Sequence, residues 1–249
     1  MKNSTKILSA TLVVAVVSTF GYVFLEKKAP FEATSAPAPV AVQKAVADQQ
    51  EKTDPNQPLI TVPESEYPII GSHGSFWVYT NLGELYQNAD IVAEINVVDQ
   101  ETVPIDIGDV STCSQVSVVQ VYKGDSVPST LLVTEVGGVQ DLSKLPKLDK
   151  PGSGQEPKNP QGMIEDTLEG SPVMKPGNSY VVFLTKNPNP KWGYNIVGSV
   201  QGKLKIDSKT KKIVNTVAPA YVTQDMFFLQ RQFNGKDMIV AENLIKQAK

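Results

Sequence analysis

The 249 residues include one cysteine, one histidine and one arginine. A lone Cys113 excludes an intrachain disulfide framework. Together with His73 it is too few for a Cys- or His-based structural zinc site, which takes four ligands. A lone Arg231 leaves the chain poor in bidentate phosphate clamps. The 23 basic residues are outnumbered by 26 acidic ones, a net charge of −3. The broad positive field of a nucleic-acid binder is therefore missing, and no nucleic-acid partner is expected. No Gly-x-Ser-x-Gly elbow accompanies the single histidine, so the chain is read as a non-enzyme, with no catalytic residue, cofactor or metal ligand assigned.

Charge is also missing from Ile7 to Leu25, a run of 19 mostly apolar residues that Lys2 and Lys6 precede and Glu26, Lys27 and Lys28 close. At about 1.5 Å per helical residue such a run just spans a hydrocarbon core of about 30 Å. It exceeds the usual apolar core of a secretory signal, about 7–15 residues, and it ends in bulky Tyr22, Val23, Phe24 and Leu25 rather than a small-residue cleavage site. Residues 1–28 are accordingly read as an uncleaved signal-anchor, with the membrane as a partner through residues 7–25 and the C-terminal domain outside. Secretion after signal cleavage is the alternative. Without residues 1–28, which carry four Lys and one Glu, the rest holds 19 basic and 25 acidic residues, a net of −6. Residues 29–75 are rich in Pro, Ala, Gln and acidic side chains and poor in large apolar ones, the composition of a disordered linker.

Periodicity begins near Phe76. Leu82, Leu85, Tyr86 and Ala89 share a helical face, with Asn81 or Thr80 as cap. Ile91, Ala93, Ile95 and Val97 then alternate as a half-buried strand. From Ser114 to Tyr122 the apolar face switches between Val118 and Val119, which predicts a β-bulge or strong coiling. Leu131 to Val136 is a third strand, ended by Gly137-Gly138, and Ser179 to Thr185 a fourth. Tyr194–Gly198, Lys203–Ile206 and Ile213–Val217 follow. Many short strands between Gly and Pro turns predict a mainly β fold, a small OB-like barrel, closed or partly open, over residues 76–222. The Pro-rich stretch from Val139 to Gly177 is read as a loop disordered over about 139–172, with a short helix around Met163, Ile164 and Leu168. Residues 223–249 predict two helices packed on the barrel. Thr223 caps the first and Asn234-Gly235 ends it; the second begins near Asp237, with Met238, Ala241, Leu244 and Ile245 on its apolar face.

Three segments carry a resemblance: Asn88-Ala89-Asp90-Ile91-Val92, Val121-Tyr122-Lys123-Gly124 and Gly177-Asn178-Ser179-Tyr180-Val181-Val182. Their order resembles the netrin-like modules, including the N-terminal domain of tissue inhibitors of metalloproteinases. With Gly198-Ser199-Val200-Gln201-Gly202-Lys203 it also resembles secreted bacterial proteins of the same pattern. The resemblance spans roughly residues 80–217 and implies an OB-type barrel. The inhibitors' N-terminal Cys and their disulfides have no counterpart here, so their inhibitory chemistry does not carry over.

Among individual residues, His73 is read as a solvated hinge and Cys113 as half-buried packing. The acidic pairs Asp106/Asp109 and Glu165/Asp166 are read as solvated loops, because neither follows the spacing of a calcium loop. Trp77, Tyr79, Trp192 and Tyr194 form a candidate ligand face, since aromatic faces of OB barrels bind sugars or single strands. Lys203, Lys205, Lys209, Lys211 and Lys212 form a basic hairpin that offers contacts to anionic polymers, or a solvated edge that resists aggregation. The functional expectation is a membrane-anchored, extracytoplasmic binding module of the bacterial envelope, with an envelope protein or glycan as partner. A protease inhibitor or modulator is the first alternative, and an enzyme built on carboxylates alone the second.

Overall fold

The row of Ile91, Ala93, Ile95 and Val97 lies inside a closed barrel in the computed structural model, which describes residues 59–106, 109–144 and 162–248. In chain order the elements are β1 (Ile69–Ser72), α1 (Leu82–Asn88), β2 (Ile91–Asp106), β3 (Asp109–Lys123), β4 (Thr130–Asp141), β5 (Met163–Leu168), β6 (Ser179–Lys186), β7 (Tyr194–Ile196), β8 (Lys203–Ile206), β9 (Ile213–Val214), α2 (Phe228–Phe233) and α3 (Met238–Gln247). Strands β2, β3 and β4 pair antiparallel in succession, β6 pairs with the other edge of β2, and β7 closes the ring. It does so by pairing antiparallel with β6 and parallel with β4. Five strands closed in this order form an OB-like barrel.

Alternation explains the two faces. Inward side chains of β2, β4 and β6, among them Ile95, Val133, Tyr180 and Val182, fill the barrel together with Met174. Outward side chains Val92, Val181 and Phe183 join Leu204 and Ile206 of β8 in a second core, covered by Leu85 and Tyr86 of α1, Leu229 and Phe233 of α2, and Ala241 and Ile245 of α3. The expected bulge is present: Glu94 faces Gln120 while Ile95 faces Val118, so Val119 is left over. Asn81 caps α1 by accepting from the Glu84 N–H at 2.9 Å.

Several expectations need correction. Gly137-Gly138 does not end the third strand. β4 runs through both glycines and changes partner there, from β3 to β5. Gly137 has φ +97°, and a Cβ on it would lie 2.4 Å from the Asp166 carbonyl oxygen, so only glycine admits this crossing. Met163 to Leu168 is a strand, not a helix, held between β4 and β1. The supposed disordered loop is therefore ordered at both described ends, and its middle, 145–161, lies outside the described residues. The linker boundary at residue 75 is also too late: Thr61 bridges Asn215 beside β9, and β1 pairs with β5 at the opposite edge. The first C-terminal helix is preceded by a 3-10 turn, Asp225–Phe227, with Gln224 rather than Thr223 at its N-cap position. No helix among the described residues is long and apolar enough to cross a membrane. The expected anchor, 1–28, and most of the stalk lie outside those residues.

Candidate functional site

Two structural devices bring the tryptophans to one cleft. Gln201 is fully buried in the turn after β7. Its Oε1 accepts from the Tyr79 N–H at 2.9 Å, and its Nε2 donates to the carbonyls of Tyr79 at 2.8 Å and Met226 at 3.1 Å. One amide thereby clamps the extended segment that carries Trp77 and Tyr79. The glycines beside it are needed for space: a Cβ on Gly198 would meet Gln201 Oε1 at 2.4 Å, and one on Gly202 would meet the Val197 carbonyl at 2.9 Å. The second device is the 3-10 turn Pro190–Trp192 between β6 and β7, capped by Asn189. Thr134 Oγ1 of β4 donates to the Trp192 carbonyl at 2.8 Å. Lys191 Nζ sits 4.9 Å from the Trp192 ring centroid and covers one indole face.

Between these walls is a cleft of about 580 Å³. Its floor is the outer face of β4 and β7 with Thr134, Val136 and Asn195, and its rim includes Ile105 near the β2–β3 turn and Asn187 after β6. Of the four aromatics in the expected ligand face, Trp77, Tyr79 and Trp192 line it. Tyr194 does not; its side chain packs against the barrel interior, because its neighbour Asn195 takes the outward position of the strand. Phe76, Ile105, Val136 and the asparagines were not legible as site residues. They come from five separate segments, and only the Asn-rich stretch 187–195 hints at a polar surface.

Among the described residues Glu135 is the only carboxylate or amine in the lining, and it is committed elsewhere. Its Oε1 accepts from Lys203 Nζ at 2.7 Å and its Oε2 from the Met174 N–H at 2.9 Å. This takes two of the five lysines out of the expected basic hairpin. Lys203 is buried in that pair, and Lys205, nearly buried, binds Glu64 Oε1 at 3.0 Å. Glu64 also accepts a hydrogen bond from the Tyr180 hydroxyl. Only Lys209 and Lys211 are exposed, with Lys212 half-buried. A third pair, Lys175–Glu165 at 2.8 Å, completes a belt of buried charges around residues 172–175, and Met174 plugs the barrel beneath it. Glu165 is thus internal rather than a solvated loop residue.

His73 is exposed, but its Nδ1 lies 2.9 Å from Glu169 Oε2, and Glu169 Oε1 accepts from the Gly74 N–H. The pair ties the N-terminal arm to the chain after β5. Cys113 is half-buried, with its Sγ 3.6 Å from Thr134 Oγ1. Among the described residues no group of three or more His, Cys, Asp or Glu is placed to hold a metal ion. No protein-family model matches the chain, and no curated protein matches it.

Proposed function

We propose that this chain is a non-enzymatic binding module whose ligand seat is the Trp77–Trp192 cleft. In this reading residues 1–28 anchor it, the stalk lifts it off the membrane, and the barrel works outside the cell. The netrin-like resemblance enters as a statement about scaffold alone. One observation carries the reading: the cleft lies on the outer face of β4 and β7, between Ile105 at the end of β2 and the β6–β7 turn. The loops after the first and fourth strands flank the ligand site of OB barrels. The exposed apolar side chains that share its lining, Trp77, Ile105 and Val136, support it, because exposed apolar patches mark interaction surfaces. The test uses the full-length chain on a surface over which solubilised envelope fractions are passed, with Trp77→Ala as control. Binding that the variant loses supports the reading. Binding that the variant retains moves the seat elsewhere, and turnover of an envelope polymer that depends on His73 replaces the reading with an enzyme.

A further inference from the structure

We infer that the cleft takes a neutral oligosaccharide; this deepens the binding-module reading and rests on it. Among the described residues the lining contains no lysine, arginine or aspartate, and its one glutamate is already paired with Lys203. A phosphate-bearing strand or an anionic polymer would therefore find no cation in the seat. Lys203 is spent on Glu135, and Lys191 is held against the Trp192 ring, 4.9 Å from its centroid. A lipid tail is no better served, since the floor presents amides and hydroxyls that would be desolvated without partners.

A sugar fits both halves of the surface. Indole and phenol rings offer flat apolar faces to the C–H face of a pyranose, and fixed amides meet its equatorial hydroxyls. The amides are already oriented. Asn195 Oδ1 accepts from Asn187 Nδ2 at 2.8 Å, which leaves the Asn195 Nδ2 as a donor. Asn88 Nδ2 donates to the Glu84 carbonyl at 2.9 Å, which leaves its Oδ1 as an acceptor. A few placed polar groups among aromatic walls is the make-up of a specific pocket.

The chain supplies its own reporter. It has two tryptophans, and both line the cleft, so tryptophan emission comes from the proposed seat alone. The full-length chain, in a non-glycosidic detergent, is titrated with chitotetraose and cellotetraose, and in parallel with an oligothymidylate and a proline-rich peptide. The expected result is a saturable blue shift with at least one tetrasaccharide. Trp77→Ala should weaken that binding at least tenfold with an unchanged melting temperature, as should Asn195→Ala, read through Trp192. Sugar binding that survives both substitutions overturns the inference. If the oligonucleotide or the peptide binds in a Trp77-dependent way and the sugars do not, the ligand class falls while the binding-module reading stands. If no probe produces a saturable change, both fall.

Discussion

Lys203→Met isolates the energetic role of the buried belt. Lys203 Nζ donates to Glu135 at 2.7 Å and to the Pro172 carbonyl, and both side chains of the ion pair are 4% exposed. Methionine matches the lysine stem in volume, so packing is conserved and the change is mainly electrostatic. What remains is a buried carboxylate whose one remaining donor is the Met174 N–H, and a carbonyl at Pro172 that loses its ammonium partner. Breaking a buried pair from one side costs about 3–5 kcal/mol. At roughly 2–4 °C per kcal/mol for a domain of this size, the melting temperature should fall by about 6–20 °C. The double variant Lys203→Met/Glu135→Met removes both charges. It should recover at least about 2 kcal/mol over either single variant, because apolar replacement of a whole pair is often near neutral. Urea unfolding of the four proteins of the cycle measures this directly. Single variants that each cost under about 1 kcal/mol would behave like exposed ion pairs and refute the buried-belt account. Strict additivity in the cycle would refute it too.

Three further outcomes follow from the same geometry. Gly137→Ala should cost at least about 2 kcal/mol, since its Cβ meets the Asp166 backbone at φ +97°, whereas Gly177→Ala, at φ +78° with open space around it, should cost about 1 kcal/mol; thermal melts compare them. Burial, aided by the charges of Glu94 and Glu242, pushes the Tyr122 phenol up from 10.0, and burial with Glu64 does the same to Tyr180. A raised folded-state value means that their stabilising contribution is full below about pH 10 and lost as pH rises through the folded value. Their tyrosinate absorbance should therefore appear with alkaline unfolding, and titration near pH 10 in a protein that retains its native near-ultraviolet circular dichroism would contradict this. Glu64→Ala leaves Lys205 and Tyr180 without their shared acceptor and should lower stability by about 3–5 kcal/mol, measured by urea unfolding; a neutral outcome would return residues 59–68 to the linker.

The contrast between Lys203 and Ile95 shows which parts of the structure were legible in the sequence. Ile95 announces its environment through neighbours two residues away, because strand alternation is a local rule, and the bulge at Val119 is visible as a break in that rule. The α1 cap is local as well. Lys203 sits in an equally regular strand and reads as a solvated edge. Its partner, Glu135, lies 68 residues away, and no period in the sequence links a lysine to the carboxylate that will neutralise it. Glu64, Glu165 and Lys175 fail to read for the same reason, and β5 fails with them. Ile164, Glu165, Thr167 and Leu168 are all buried, so both faces of that strand are covered and the alternation that marks a half-exposed strand disappears. Glycine misleads in the opposite sense. Gly137-Gly138 reads as a stop because glycines usually punctuate, but here they let one strand pass from the barrel to a neighbouring sheet. The cleft occupies a middle position: its aromatic residues stand out by type, and Gln201, which brings Trp77 into place across 122 residues through Tyr79, stands out only as part of a Gly-flanked segment. The residues that carry a function are thus partly visible, while the polar groups that aim them become visible only once the chain has closed its barrel.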